Sequence, residues 1–202
     1  MIDWDALSAV VLDIEGTTCP VDFVTGSLFP YSRQHLSSLL SQDDLGEVLK
    51  PLLQEVQVAW KQEEDPAAPP FSNQQAPLAL LPYLQWLIDQ DRKLAPLKEL
   101  QGLTWRHGYH SGALTTPLFD DVAPALKHWQ QLGLRLAVYS SGSVAAQQLF
   151  YGHTRDGDLT GLFERWYDTR LGPKKETKSY EQLAIDLQLT PKAVLFISDA
   201  SA

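Results

Sequence analysis

The sequence of 202 residues has a single cysteine, Cys19, and lacks any apolar run long enough to span a membrane. One cysteine excludes an internal disulfide framework and any zinc site built from cysteines. No stretch reaches the roughly 18 apolar residues that a membrane span needs, and the N-terminus (MIDWDALSAV) has no basic segment before an apolar one. We therefore expect a cytoplasmic protein of a reducing compartment, with no membrane as partner.

Basic residues are also few, because 16 Lys and Arg stand against 25 Asp and Glu and give a formal net charge of −9. Nucleic-acid backbones require a basic surface, so nucleic acid is not expected as a partner. Hydrophobic residues make up 44% of the chain, which is typical of a globular protein. The length suits one domain, or one domain with a large insertion.

Two common catalytic motifs are missing as well. The Walker A pattern of nucleotide-binding loops is absent, and so is the GxSxG nucleophile elbow of serine hydrolases. His107 and His110 stand three residues apart and could ligate a metal. Two imidazoles on a helix surface are the favoured interpretation of that pair.

Three short apolar runs, each ending in polar residues, are present instead, at 9–14 (AVVLDI), 134–139 (LRLAVY) and 193–198 (AVLFIS). Helical patterns at 121–131 and 176–188 precede the second and third runs. Strands that alternate with helices predict a doubly wound α/β fold with a parallel sheet. Ligands of such sheets bind outside the carboxyl ends of the strands, so the polar strand ends should converge.

The interval between the first two runs is too long for one crossover connection. Residues 63–70 in it are acidic and Pro-rich and predict a loop. Helical spacing of apolar residues predicts four helices there, at 24–40, 43–62, 78–91 and 96–111. We expect a helical cap of residues 20–115 inserted into an α/β core of residues 1–19 and 116–202.

The first strand end carries two carboxylates, Asp13 and Glu15, followed by Gly16, Thr17 and Thr18. Carboxylates at i and i+2 across a turn can face one pocket and suit Mg²⁺, which prefers oxygen ligands. Alternatively, one could act as a nucleophile and the other as a general acid. Alone, the pair is also compatible with two solvated acids in a turn.

The second strand end, Ser140-Ser141-Gly142-Ser143, opens a predicted helix at 143–150. Hydroxyls at a helix N-terminus can bind an anion, although a serine that merely caps the helix is common. Lys174 and Lys175, which precede helix 176–188, could offset phosphate charge or could be solvated surface lysines. Asp199 adds an acid at the third strand end, or it is an ordinary loop residue.

Taken in order, Asp-x-Glu, Ser-Ser, Lys and Asp form a pattern far more specific than its parts. It resembles the four motifs of the haloacid dehalogenase superfamily of phosphotransferases. Longer segments resemble the enolase-phosphatase family of methionine salvage, across about residues 9–202. These segments are VVLDIEGTTCPVDFV, LQGLTWRHGYHSGAL, VYSSGSVAAQQLFYGH, FERWYDTRLGPKKETKSY and FISD.

The resemblance implies a Mg²⁺-dependent bifunctional enzyme, usually monomeric, that acts on a small-molecule phosphate. It enolises 2,3-diketo-5-methylthiopentyl-1-phosphate and then dephosphorylates the enol phosphate to the acireductone, 1,2-dihydroxy-3-keto-5-methylthiopentene. The resemblance also assigns roles by position. These are Asp13 as nucleophile and metal ligand, Glu15 as second acid and metal ligand, Ser140 and Ser141 as phosphate-binding residues, Lys174 rather than Lys175 as the motif lysine, and Asp199 as terminal metal ligand.

The enolisation base is not identified by the sequence. Glu15 is the first candidate, and a residue of the cap is the other. The family continues beyond the terminal acid with a helix, a strand and a tail, so we expect part of the core to lie beyond Ala202. Two alternatives stay open: a dehalogenase or another small-molecule phosphatase of the same fold, and a phosphate-binding fragment without catalytic activity.

Overall fold

A computed structural model of the chain describes residues 4–42, 46–74 and 76–199. The chain divides into two compact units. The first consists of Met1–Val24 and Leu114–Ala202, and the second of Thr25–Ala113. The sequence-based boundaries at 20 and 115, and the role of the second unit as a cap, stay predictions.

A four-stranded sheet forms the centre of the first unit, with the order β3-β2-β1-β4 and every pair parallel. Its strands are β1 (Ala9–Leu12), β2 (Arg135–Tyr139), β3 (Arg165–Tyr167) and β4 (Val194–Ile197). Leu12 lies opposite both Val138 and Ile197, so the residues that follow these strands emerge at the same edge. The predicted parallel α/β fold is confirmed.

Strand β3 was not predicted from the sequence. It has three residues, Arg-Trp-Tyr, and only Tyr167 among them is buried. An outer strand this short carries neither a continuous apolar run nor a clear alternation, and these are the two signals that reveal strands. The sheet therefore has one more polar strand end than expected, and Asp168 occupies it.

The helices agree with the predicted pattern to within a few residues. In chain order they are α1 (Phe29–Leu40), α2 (Gly46–Lys61), α3 (Leu81–Asp89), α4 (Ala95–His110), α5 (Val122–Gln131), α6 (Val144–Gly152) and α7 (Thr177–Asp186). A π-helical segment, Val24–Leu28, leads into α1, and a 3₁₀ turn, Pro77–Leu80, leads into α3. The first residues of predicted helix 43–62, residues 43–45, lie outside the described residues.

Alternation along the strands builds the core of the first unit. One face of the sheet and helix α7 share a cluster of buried side chains: Ala9, Val11, Ala137, Tyr139, Tyr167, Leu183 and Leu187. Burying each large aliphatic side chain contributes about 1.5–3 kcal/mol to folding. This packing fixes α7, and the loop before it, against the sheet.

The second unit is helical and has a core of its own, in which the Trp60 ring stacks on Tyr83 at 5.4 Å. Glu63, in the predicted acidic loop, accepts hydrogen bonds from the Tyr83 hydroxyl (3.0 Å) and the Arg92 guanidinium (3.1 Å). Burial opposes the charge of Glu63, but these bonds and one from the Asp65 N–H hold its pKa below the ordinary value. None of the described helices is both long and apolar enough to cross a membrane.

Candidate active site

Asp13, the first residue after β1, has a buried carboxylate whose oxygens are both engaged. Its Oδ1 accepts the N–H of Ile14 at 2.7 Å. Its Oδ2 accepts the Ser198 hydroxyl at 3.0 Å and pairs with Nζ of Lys174. A buried carboxylate needs such partners, because burying an unpaired polar or charged group is costly, and Asp13 has them. The carboxylate is therefore held in one position at the end of β1.

The turn after Asp13 is held by its own backbone. The Ile14 carbonyl accepts the N–H groups of Thr18 (2.8 Å) and Cys19 (3.3 Å), and the Gly16 N–H donates to the Cys19 carbonyl at 2.9 Å. Glu15 forms a backbone bridge with Cys19 inside this turn and is half-buried. Its position two residues after Asp13 is therefore fixed by the turn.

A buried pair of hydroxyls supports the turn from within the unit. Thr18 Oγ1 lies 2.9 Å from the hydroxyl oxygen of Tyr151, and both side chains are fully buried. Satisfied polar contacts of this kind in a core fix one arrangement, because a broken contact would leave a buried polar group unpaired.

Asp199, which follows β4, lies directly against the Asp13 turn. Its N–H donates to Thr17 Oγ1 at 3.0 Å. Gly16 has a φ of +71°, and a Cβ at Gly16 would overlap the Asp199 carboxylate. Only glycine allows both this conformation and this close approach. The ends of β1 and β4 thus place Asp199 against the turn that begins at Asp13.

Gly16→Ala is expected to destabilise the first unit and lower phosphatase activity together. The left-handed conformation costs a residue with a Cβ roughly 1–2 kcal/mol, and the overlap with Asp199 adds to that cost. Urea unfolding and phosphate release measure the two effects. Gly102→Ala is the matched control, because open space surrounds that helical glycine and alanine there should stabilise by about 0.5–1 kcal/mol. Equal stability of Gly16→Ala and wild type would contradict the close approach.

The end of β2, which pairs with β1, leads into the N-terminus of helix α6. Ser143 is the residue that caps α6, since its hydroxyl accepts the Ala146 N–H at 3.3 Å. Ser140 is buried and its N–H donates to the Tyr167 carbonyl at 3.2 Å, whereas Ser141 is exposed. The cap is therefore provided without Ser140 or Ser141, and the positive end of the helix dipole faces the turn that carries them.

Asp168, at the end of β3, is a buried acid that sequence reasoning missed. Burial raises its pKa, but hydrogen bonds from the Arg170 side chain and backbone outweigh burial and lower the pKa below the ordinary value. The backbone N–H of Val144, at the start of α6, also lowers the pKa of Asp168. An acid directly after a strand was the available signal, but the strand itself was not recognised.

Lys174 and Lys175 differ sharply in their surroundings. The Lys174 side chain is 23% exposed and reaches the Asp13 carboxylate. Lys175 is exposed. Of the two lysines, Lys174 is the one that the structure places at the strand ends.

The donor set suits a hard divalent cation. Within the described ranges, no three His, Cys, Asp or Glu residues are grouped so as to hold a metal. Asp13, Glu15 and Asp199, the predicted ligands, therefore do not form such a group of three, and His107 and His110 have no third ligand of this kind. Mg²⁺ needs no such group, because one or two carboxylates usually hold it together with waters and substrate phosphate. Asp199 approaches Gly16, three residues after Asp13, so two carboxylates lie at the ends of adjacent strands. Negative charge is concentrated there: burial, with smaller contributions from the charges of Glu15 and Asp13, raises the pKa of Cys19 to about 12.

Comparison with known proteins gives consistent results. Residues 7–202 match the family model of haloacid dehalogenase-like hydrolases. The chain is 80% identical to enolase-phosphatase E1 of Synechococcus sp. strain RCC307 over 201 residues, which is 100% of this chain and 81% of that protein. It is 45% identical to enolase-phosphatase E1 of Synechococcus sp. strain WH7803 over 199 residues, 96% of this chain and 82% of that one.

Among solved structures, the fold is similar to that of the UTR4 protein of Saccharomyces cerevisiae. The TM-score is 0.74 at 31% identity, and the match covers 94% of this chain and 80% of the yeast chain. A CbbY protein of Rhodobacter sphaeroides shares the fold alone, with a TM-score of 0.53 at 15% identity over 94% and 76% of the two chains.

Proposed function

The chain belongs to the enolase-phosphatase family of the haloacid dehalogenase-like hydrolases, and we propose on that premise that it converts 2,3-diketo-5-methylthiopentyl-1-phosphate to the acireductone and inorganic phosphate. The conversion combines an enolisation with a dephosphorylation. The observation that carries the proposal is the buried Asp13 at the end of β1, which is paired with Lys174 and begins the turn that Asp199 contacts at Gly16.

Dephosphorylation requires a nucleophile, and Asp13 fits that role. Its Oδ1 accepts the Ile14 N–H, and its Oδ2 contacts the Ser198 hydroxyl and Lys174. We assign the attack to Oδ2, because Lys174 beside it can offset the charge of the incoming phosphate. Attack on phosphorus forms an aspartyl-phosphate and breaks the bond to the ester oxygen, which leaves as an oxyanion and takes a proton from water. Water then hydrolyses the acyl phosphate and restores Asp13.

Charge neutralisation dominates phosphoryl transfer, because the protein mainly positions the groups and offsets their charge. Lys174 sits beside the attacking oxygen and can contact a phosphate oxygen at the same time. Ser140, Ser141 and the N-terminus of α6 supply hydroxyl and N–H donors for the other phosphate oxygens. The chain has a net charge of −9, which would repel a phosphate dianion. These donors would offset that repulsion at the carboxyl edge of the sheet.

We propose that Mg²⁺ would be held by carboxylates among Asp13, Glu15 and Asp199, with water and the substrate phosphate supplying its other ligands. When bound, it supplies a Lewis acid that neutralises phosphate charge and acidifies the carbon next to the substrate carbonyls. Glu15 is our first candidate for the base that removes that proton, because the turn fixes it two residues from Asp13. We further propose a cytoplasmic monomer that acts on a small phosphate ester, with neither nucleic acid nor membrane as partner.

The direct test supplies the diketone phosphate to the protein with Mg²⁺. Ultraviolet absorbance follows the conjugated enol, and a phosphate assay follows the second step. We expect both signals, one phosphate for each acireductone, and loss of both when EDTA is added, with recovery when Mg²⁺ is restored. The EDTA reversal is the control for a contaminating metal-independent phosphatase.

Other outcomes would contradict the proposal in distinguishable ways. Phosphate released from p-nitrophenyl phosphate, with no enol signal from the diketone, would indicate a general phosphatase. Chloride released from a chloroacid would indicate a dehalogenase. Phosphate binding without any turnover would indicate a binding module.

A further inference from the structure

The loop that carries Lys174 is held by hydroxyl groups from outside it. Three consecutive carbonyl groups of this loop each accept a hydrogen bond from a different side chain, and we call the three donors the hydroxyl clamp. The pairs are Tyr139 to Gly172 (2.8 Å), Ser179 to Pro173 (2.8 Å) and Tyr180 to Lys174 (2.6 Å).

The clamp itself is rigid, since its members belong to the sheet and to α7. Tyr139 is the last residue of β2 and is fully buried, and Ser179 is 3% exposed. The rings of Tyr139 and Tyr180 meet edge to face at 5.7 Å, and both pack against Phe196 of β4, at 6.2 and 5.1 Å. These contacts connect three elements of the first unit behind the loop.

The loop also lies directly on α7. A Cβ at Gly172 would overlap the Ser179 hydroxyl, so glycine is what allows the approach. Pro173 has no N–H to donate, and its carbonyl accepts both the Ser179 hydroxyl and, at 3.1 Å, the Glu176 N–H. Side chains, rather than a strand or helix, thus satisfy the loop's backbone.

Support of the loop backbone matters because lysine has a flexible side chain. Its side chain is a flexible four-carbon stem that carries a point charge, so the position of the backbone determines where Nζ can reach. Misplacing a catalytic group by about 1 Å can cost roughly 100-fold in rate. Burial raises the pKa of both Tyr139 and Tyr180, so both phenols remain protonated donors at neutral pH.

We infer that the three residues of the hydroxyl clamp, above all Tyr180, are positioning residues that hold Lys174 beside Asp13 and the substrate phosphate. Tyr180 bonds to the carbonyl of the lysine itself, and acts on the reaction only through it. The inference deepens the proposed function and rests on it, because it explains how the site positions the Lys174 ammonium group that would contact the substrate phosphate.

A double-mutant cycle tests whether Tyr180 acts through Lys174. Tyr180→Phe is made in the wild-type and in the Lys174→Ala background, and it retains the ring contacts while removing the hydroxyl. The readouts are the Kd for inorganic phosphate in the presence of Mg²⁺ and the KM and kcat for p-nitrophenyl phosphate. Phosphate binding keeps the cycle measurable even where Lys174→Ala turns over too slowly to follow.

We expect Tyr180→Phe to weaken phosphate binding and to raise KM by about tenfold in the wild-type background, the size of one hydrogen bond. In the Lys174→Ala background the same change should alter Kd less than about twofold, because coupled residues are not additive. Tyr83→Phe is the matched control: it also removes a phenol that donates a hydrogen bond, to Glu63 in the second unit, and should leave Kd unchanged.

Two results would overturn the inference. One is an unchanged Kd in Tyr180→Phe, and the other is the same loss in both backgrounds, which would show that Tyr180 acts independently of Lys174. Ser179→Ala repeats the cycle if Tyr180→Phe fails to fold. A wild-type chain that neither binds nor releases phosphate would contradict the proposed function as well. An active wild type in which Tyr180→Phe has no effect on the Kd for phosphate would contradict only the role of the clamp.

Discussion

Asp13→Asn is expected to reduce phosphate release by about four orders of magnitude or more, the scale seen when a nucleophile is removed. The side chain keeps its shape, but the amide oxygen is a poor nucleophile and no longer forms an ion pair with Lys174. Inorganic phosphate released from the diketone phosphate measures the effect. Asp22→Asn is the matched control, because it removes the same charge from an exposed position in the following segment and should leave the rate unchanged.

The enolisation should survive in Asp13→Asn, though more slowly. The described residues hold one cluster of strand-end carboxylates, so we expect both half-reactions to share it, and only the second to need the Asp13 nucleophile. The enol phosphate should then accumulate, seen as rising ultraviolet absorbance without phosphate. Phosphate released at the wild-type rate would exclude Asp13 as nucleophile. Loss of both signals with Mg²⁺ still bound would mean that Asp13 also serves the enolisation.

Lys174→Ala is expected to raise the KM for phosphate esters by about 100-fold, the upper range for a hydrogen bond to a charged group. Lys174 neutralises charge beside the attacking oxygen, and alanine leaves the buried Asp13 without its cation. The measurement is the KM for p-nitrophenyl phosphate, with thermal unfolding to separate binding from folding.

Lys175→Ala is the control for that experiment. The side chain is exposed and one residue away, so the change removes the same charge from the same loop and should alter KM less than about twofold. A raised KM in Lys175→Ala with an unchanged KM in Lys174→Ala would reverse the assignment of the motif lysine.

The sheet was predictable where a strand coincides with an apolar run. Strands β1, β2 and β4 lie within the three apolar runs, which are typical of strands in a parallel sheet. Strand β3 could not be found in the same way, because its three residues, Arg-Trp-Tyr, form no apolar run. Pairing with β2, not local sequence, makes it a strand.

Some residues of the candidate site could likewise be predicted from sequence patterns, and others could not. Asp13 and Asp199 could be proposed because each directly follows an apolar run, and parallel strands end at one edge. Lys174 lies in a loop without a pattern of its own, and only the family resemblance singled it out before the structure paired it with Asp13.

Local sequence patterns do not predict the hydrogen bonds that support the site. Tyr139 and Gly172, joined by a hydrogen bond, are 33 residues apart, and Thr18 and Tyr151 are 133 apart. Tyrosine and serine in a strand or helix carry no signal of which distant carbonyl they will meet. Such pairings depend on how α6, α7 and the sheet pack, which a single sequence does not reveal.

The most direct test of the account traps the phosphoryl group on the protein. Wild-type chain and substrate are mixed with Mg²⁺, quenched within one turnover, and the peptides are analysed by mass spectrometry after borohydride reduction of acyl phosphates. The account predicts that the peptide with Asp13 carries the phosphoryl group, that reduction converts this aspartate to homoserine, and that Asp13→Asn shows neither product. A phosphoryl group on another residue, or phosphate released in the same time with no label on Asp13, would contradict it.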